Sequence, residues 1–410
     1  MRPAHLFLEP LMPTLIRFCL NCLAFAGALF CGATIVFAAA HIPKSDATVL
    51  ERLPFKPNDP VARELASMRA ELQRNPRNID VAVKLAGRYY AMVGEEGDPR
   101  YLGYAQAALA PWWEMPEPPI EVQVLRASLL QFSHNFVAAF ADLDKVLERD
   151  PRNAQARILR AIIEIVQARY DVARADCRAL NKLSSDLIVI GCEAMIDGLT
   201  GNAASAYTTL NTAFTNTKKV PADEQLWVLT RLAELSQRLD KSSATEAHFK
   251  QAISLGITDS FLLAAYSDFL LEQQRPAEVV ALLKDKTRSD GLLLRLLLAE
   301  RSLNLPTAKD KEATLAARYL AAQLRGDKVH QQEEARFSLQ VQGNPKKALA
   351  LAQENWKVQL EPRDARIFME AALALKDAKS AQPVLQWLES SKIEDRQLIS
   401  LGQKLKAVKP

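Results

Sequence analysis

The sequence has few of the features on which most enzymes and metal sites depend. Only 14 of its 410 residues are glycine and only five are histidine. It contains no glycine-rich phosphate loop, no GxSxG elbow and no HExxH pair. The alternation of apolar and polar residues that marks a half-buried strand is hard to find. These absences nominate no catalytic residue, cofactor or metal site, and they predict a helical protein that is not an enzyme.

Charge of one sign is also scarce. The formal net charge is +4, from 52 basic and 48 acidic residues. The basic residues are dispersed and form no stripe along a predicted helix. A nucleic-acid-binding domain concentrates its basic residues on one face. The sequence therefore predicts no nucleic-acid partner.

The N-terminus has the pattern of a secretory signal. Arg17 precedes an uncharged apolar run from Phe18 to Ala40, which ends in the small residues that signal peptidase requires. We expect residues 1–40 to be the signal and the rest to be exported to the periplasm. The alternative is an uncleaved anchor, since a run of about 20 apolar residues is long enough to cross a bilayer. Translation starts at Met1 or at Met12; the pattern fits both.

Two cysteines remain beyond the apolar run, Cys177 and Cys192. Their midpoint is Ser184-Ser185, where the pattern predicts a turn between two antiparallel helices, so the cysteines lie level with each other. An exported protein folds in an oxidising compartment, which favours a disulfide between the two cysteines. The alternative is a pair of buried thiols.

A repeat of 34 residues is the strongest internal signal. Leu125-Arg126-Ala127 recurs as Leu159-Arg160-Ala161. Further residues match at the same offset or in the corresponding places of looser units: Ala139 and Ala173, Leu143 and Cys177, Val146 and Leu180, then Ala194, Ala206 and Leu210. Small residues that recur at this interval indicate helices that approach closely.

This period and these residues resemble the tetratricopeptide repeat (TPR) superfamily, in an exported bacterial-type protein. The resemblance implies an all-α fold, an α-solenoid of stacked antiparallel helix hairpins wound into a right-handed superhelix. We expect an N-terminal extension over residues 41–78, TPR-like repeats over 79–305 and further helical repeats over 306–410. A boundary near residue 306 is suggested by the irregular segment LNLPTAKDK.

Recurring arginines form the first candidate site. Arg126 and Arg160 each lie 16 residues before an aspartate, Asp142 and Asp176. One interpretation is an arginine ladder that binds an acidic partner. The other is an ion pair within each hairpin.

A second candidate site lies near the C-terminus. Glu334, Arg336, Asn355 and Trp356 combine polar and aromatic groups, which suits a groove that binds a peptide. A helix with mixed charges and one core aromatic residue has the same composition.

The resemblance implies a scaffold that holds a peptide or a partner protein in its concave groove. We therefore expect a periplasmic, non-catalytic scaffold in an envelope-associated assembly, with a protein or peptide partner and with membrane contact only through an uncleaved N-terminus. One alternative is a membrane-tethered assembly factor for cytochrome maturation, polysaccharide export or metal handling. Another is a metal-binding protein that uses His41 as its mature N-terminus.

Overall fold

A computed structural model describes residues 58–327 and 329–408. The expectations for the signal segment, the start codon and His41 lie outside these residues. From Arg63 onward, the described residues form one compact unit. In the described part of the chain, no helix is both long and apolar enough to span a membrane.

The described residues form 21 helices and no strands, as the sequence predicts. A first helix, α1 (Pro60–Arg74), precedes nine helical hairpins, and a one-turn helix, α4 (Ala110–Trp113), lies between the first two hairpins. The hairpins are α2 (Ile79–Glu96) with α3 (Arg100–Ala108), α5 (Ile120–Phe132) with α6 (Phe136–Arg149), α7 (Ala154–Val166) with α8 (Tyr170–Ala179), α9 (Asp186–Asp197) with α10 (Ala203–Asn216), α11 (Ala222–Arg238) with α12 (Ser242–Ser254), α13 (Ser260–Glu272) with α14 (Pro276–Leu283), α15 (Asp290–Ser302) with α16 (Ala308–Arg325), α17 (Gln331–Gln340) with α18 (Pro345–Trp356), and α19 (Pro362–Ala374) with α20 (Gln382–Ser391). Helix α21 (Arg396–Lys406) ends the stack.

Small side chains let the two helices of a hairpin, and neighbouring hairpins, approach each other. Ala127 and Ala139 in one unit, and Ala161 and Ala173 in the next, are completely buried. A larger side chain at any of these positions would force the helices apart, because protein cores are close-packed. The residues that carry the 34-residue repeat are therefore the residues at the helix contacts.

The turn inside each hairpin has a shared backbone feature that the sequence pattern did not predict. In all nine hairpins one residue of this turn has a positive φ, in the left-handed region. These residues are Gly97, His134, Ala168, Gly201, Asp240, Gln274, Asn304, Gly343 and Lys376. A left-handed residue just after a helix ends it and reverses the chain.

The sequence analysis predicted helical repeats on both sides of residue 306 but delimited no hairpin across it. Helices α15 and α16 occupy residues 290–325, and residues 303–307 are the turn between them. The segment near residue 306, where the sequence suggested a boundary, therefore lies inside the compact unit. The small residues at this hairpin's contacts are less regular, because leucines such as Leu293, Leu294 and Leu297 fill its core.

The C-terminal hairpins pack back against the central ones. A single apolar cluster contains residues of α7–α9 and residues of α17–α21. The Leu360 N–H donates to the Val166 carbonyl at 2.8 Å, and Trp387 Nε1–H donates to the Tyr170 hydroxyl at 3.1 Å. The stack thus closes on itself, and hairpins far apart in sequence meet.

A disulfide joins Cys177 in α8 to Cys192 in α9, with their Cα atoms 5.6 Å apart. Both residues belong to the cluster shared by the central and C-terminal hairpins. The crosslink therefore connects two consecutive hairpins at the core that they share with the C-terminal helices.

Candidate partner-binding surface

The Arg126 side chain forms an ion pair inside its own hairpin and hydrogen bonds to the segment before it. Its Nε and Nη2 donate to the two carboxylate oxygens of Asp142 at 2.7 and 2.5 Å. Its Nη1 donates to the carbonyls of Trp113 and Met115. Arg126 is only 9% exposed. The two Nη1 hydrogen bonds also join the segment before α5 to this hairpin.

Arg160 makes the equivalent contacts one repeat later. Its Nε and Nη2 donate to Asp176 at 2.7 and 2.8 Å, and its Nη1 donates to Asp144 at 2.7 Å. Arg157 adds a third donor to Asp176 at 3.0 Å. This geometry matches the ion-pair interpretation of both arginines, and the ladder for an acidic partner stays a prediction.

The four residues of the second candidate site do not share one surface. Three of them are buried in the protein interior, and Arg336 reaches a distant hairpin. Glu334 is buried and accepts from Lys347 Nζ at 2.8 Å. Arg336 Nη1 donates to Asp268 Oδ1 at 2.7 Å, across a sequence separation of 68 residues. Glu334 and Arg336 thus contact other parts of this chain.

Asn355 and Trp356 lie in the core. Trp356 is 7% exposed and its ring meets those of Trp387 and Phe368, with centroids 5.4 and 6.2 Å away. Asn355 is buried beside it. In this structure neither side chain lines a groove; their role in binding a partner stays a prediction.

Arg336 has two counterparts that the sequence analysis missed. Arg366 and Arg396 follow it at intervals of 30 residues, and the three lie on α17, α19 and α21. We call them the C-terminal arginines. Their recurrence was the signal that could have found them.

Each of the C-terminal arginines pairs with an acidic residue of a distant hairpin. Arg336 binds Asp268, Arg366 Nη1 binds Glu272, and Arg396 Nη1 binds Asp240 Oδ2 at 2.8 Å. Glu272 ends α13, Asp268 is one turn before that end, and Asp240 follows α11 by two residues. We call Asp240, Asp268 and Glu272 the acidic helix ends.

A cavity of about 310 Å³ lies between the first helices of the central hairpins and α19 and α21. Its charged and polar lining includes Glu234, Gln237, Arg238, Asp240, Asp268, Glu272, Gln273, Arg295, Glu361, Arg363, Arg366, Asp395 and Arg396. A volume of this size is at the lower end of the range of ligand pockets. It accommodates a few side chains of a partner.

Arginine charges hold two of the cavity acids, Asp268 and Glu361, ionised. Burial by itself would raise the pKa of Asp268, but the positive charges of Arg295 and Arg336 outweigh it and lower the pKa to about 2. Burial also acts on Glu361, and the nearby Arg363 guanidinium more than compensates, so that the pKa of Glu361 falls below its usual value. Both carboxylates therefore stay negative near neutral pH.

Asp364, a buried residue of α19 outside the cavity lining, behaves differently. Burial, followed by the negative charge of Glu361, raises the pKa of Asp364 to about 8. One of its oxygens accepts the Glu361 N–H at 3.1 Å, and the other has no partner. The carboxyl is thus largely protonated at neutral pH.

Among the described residues, no three His, Cys, Asp or Glu side chains are arranged to hold a metal ion. The surface instead offers paired charges and a polar cavity, which suit noncovalent recognition.

No family model matches the chain, and no curated protein matches it. Among solved structures, the human IFIT1 dimer with m7Gppp-AAAA is 16% identical, with 84% of this chain and 85% of that chain covered and a TM-score of 0.38. The TPR domain of P58(IPK) is 15% identical over 81% of this chain and 98% of that one, with a TM-score of 0.22. Naa15/Naa10 bound to HypK-THB is 13% identical over 84% of this chain and 63% of that one, also with a TM-score of 0.22.

These superpositions are too loose to transfer a ligand or an activity. The nine stacked hairpins of the described residues themselves define the fold class: an all-α solenoid of antiparallel helix hairpins.

Proposed function

We propose that this chain is an exported, periplasmic TPR-type scaffold without catalytic activity, which binds a peptide or a partner protein in an envelope-associated assembly. The observation that carries the proposal is the cavity between first helices of distant hairpins. Its lining places charged, hydrogen-bonding and aromatic groups on a rigid helical frame, as a recognition surface requires. No cofactor is part of the proposal.

Two features support export. The apolar run ends at Ala38-Ala39-Ala40, which has the small residues of a cleavage site. Cys177 and Cys192 are joined in a disulfide, a bond that persists in oxidising compartments.

N-terminal sequencing of the protein recovered from periplasmic extract tests the localisation. We expect a chain that starts at or near His41. The substitutions Ala38→Phe and Ala40→Phe should block cleavage and leave the protein with the membrane fraction. An intact N-terminus on the unsubstituted protein would support the tethered alternative. Recovery from the cytoplasm would contradict export.

Site-specific photocrosslinking in cells tests partner binding. We would place p-benzoylphenylalanine at Gln273, which lines the cavity, and for comparison at Val137, an outer-surface residue that is 84% exposed. We expect a reproducible crosslinked protein from position 273 and none from position 137. The absence of any product specific to position 273 would contradict the proposal.

A further inference from the structure

The C-terminal hairpins are held to the rest of the chain by two different kinds of contact. Over α7–α9 they share a buried apolar cluster and the Trp387–Tyr170 hydrogen bond. Over α11–α14 the situation differs, because the buried cluster of those helices includes no residue of α17–α21. Helix α15 packs against Phe337 of α17 in a separate apolar cluster. Over α11–α14 the two parts of the chain meet through the C-terminal arginines, their acidic partners and the cavity. We call this contact region the seam.

The acidic helix ends are suited to binding cations for a second reason beyond their carboxylates. They lie at or near the C-termini of α11 and α13. The last carbonyls of a helix have no intrahelical donors and carry a partial negative charge. Carboxylates and carbonyl dipoles therefore attract the same ligand, a guanidinium or ammonium group.

The charge pairs of this seam grow more exposed toward α21. Arg396 and Asp240 expose 72% and 59% of their side chains, whereas Arg336 and Asp268 expose 16% and 26%. Exposed pairs contribute only about 0–1 kcal/mol each and are screened by salt. The Arg396–Asp240 pair can thus separate at low cost, while Leu398 and Leu405 of α21 stay in the apolar cluster shared with α7–α9.

Arginines that occupy a surface reveal the chemistry which that surface binds. We propose that the acidic helix ends are the docking surface for a partner segment with arginines on one helical face, and that the C-terminal arginines cover this surface when the partner is absent. The inference rests on the proposed scaffold function and names the partner's chemistry. The partner's arginines replace Arg396 and Arg366, and its side chains enter the adjoining cavity.

In this arrangement the measured affinity for the partner depends on how often the C-terminal arginines cover the acidic helix ends. A partner that binds only the uncovered state has an apparent dissociation constant raised by the inverse of the uncovered fraction. Removing the cover should therefore tighten binding without adding a contact.

Fluorescence anisotropy with a defined probe tests the inference. The probe is a labelled, alanine-rich helical peptide with three arginines four residues apart, which places them on one face. Matched peptides carry lysine or glutamate instead. The uncovered protein is the full mature chain with Arg366→Ser and Arg396→Ser. A charge-matched control carries Arg178→Ser and Arg325→Ser, two exposed arginines whose acidic partners, Glu193 and Asp327, lie outside the seam.

We expect the uncovered protein to bind the arginine probe about tenfold more tightly than the wild type and the control. Adding Asp240→Asn and Glu272→Gln should abolish that gain, and the glutamate peptide should not bind. Circular dichroism confirms that each variant is folded.

Equal affinity for all folded variants would overturn the inference, as would a gain that survives Asp240→Asn and Glu272→Gln. These outcomes are separable from failure of the proposed function. A partner crosslinked at position 273, together with no effect of uncovering, would leave the scaffold in place and remove only the arginine-bearing partner.

Discussion

The chain uses the arginine–carboxylate pair in two regions for two purposes. In α5–α8, Arg126 and Arg160 bind aspartates 16 residues further along, inside their own hairpins. In the C-terminal hairpins, Arg336 and Arg366 bind acids that lie 68 and 94 residues away. The first kind of pair stabilises a repeat. The second kind joins hairpins that are far apart in sequence.

Burial separates the local pair Arg126–Asp142 from the most exposed remote pair, Arg396–Asp240. Arg126 and Asp142 are both buried, so loss of either one leaves an uncompensated charge. Arg396 and Asp240 face water, which solvates either group when the other is removed. The same chemistry is thus a stability element in one region and a releasable contact in the other.

The largest expected effect comes from breaking the buried local pair. Asp142→Ala leaves the Arg126 guanidinium buried without a carboxylate and should lower the free energy of unfolding by about 3–5 kcal/mol. Urea denaturation measures this loss. The double variant Arg126→Met, Asp142→Leu should recover most of the stability, because it removes both charges. A loss below about 1 kcal/mol for Asp142→Ala would show that the pair is solvated.

The next effect concerns the crosslink beneath the C-terminal hairpins. Replacing Cys177 and Cys192 by alanine should lower the free energy of unfolding by about 3 kcal/mol, because the crosslink closes a loop with a sequence separation of 15. Wild type treated with reductant should show a similar loss, and the alanine variant should not respond to reductant. Unchanged stability in both proteins would contradict a structural role for the bond.

The pH dependence of the free energy of unfolding tests a buried acid of the C-terminal hairpins, Asp364. Burial and Glu361 raise the pKa of Asp364 to about 8, whereas an unfolded aspartate titrates near about 3.9. The folded state therefore retains a proton that the unfolded state loses. This group's contribution is most favourable below about pH 4 and declines as the pH rises toward about 8.

Asp364→Asn carries no charge and can still accept the Glu361 N–H. Its free energy of unfolding should exceed that of the wild type increasingly between about pH 5 and pH 8. Denaturation of both proteins across this range measures the difference. A constant difference would show that Asp364 does not titrate with a raised pKa.

The smallest effect belongs to the exposed remote pair. Arg396→Ser should change the free energy of unfolding by less than about 1 kcal/mol, with a difference from wild type that shrinks further at high salt. Denaturation at low and high ionic strength checks both points. A loss as large as that of Asp142→Ala would contradict the distinction between the two regions.

The well-matched repeats were predictable because their signal is local. Ala127, Ala139, Ala161 and Ala173 mark close helix contacts within and between neighbouring hairpins, so packing imposes a fixed interval on the sequence. The hairpin of α15 and α16 escaped prediction because leucines fill its core without the small-residue interval.

The candidate site was predictable only in part. Arg336 was named, but its partner Asp268 could not be, since the pairing depends on the closure of the whole stack. Trp356 was named for its polar neighbourhood, yet it packs against Trp387 from the next hairpin. Composition alone does not distinguish a groove-lining tryptophan from a core one.

The sequence by itself determined the helical character, the pairing of the well-matched helices into hairpins and the candidate ion pairs of α5–α6 and α7–α8, because each of these involves residues within about one repeat. Only the tertiary structure decided that the C-terminal arginines meet the acidic helix ends and that a cavity remains between them. Small rotations between successive hairpins accumulate along the stack. The resulting contacts join residues for which no sequence interval is prescribed.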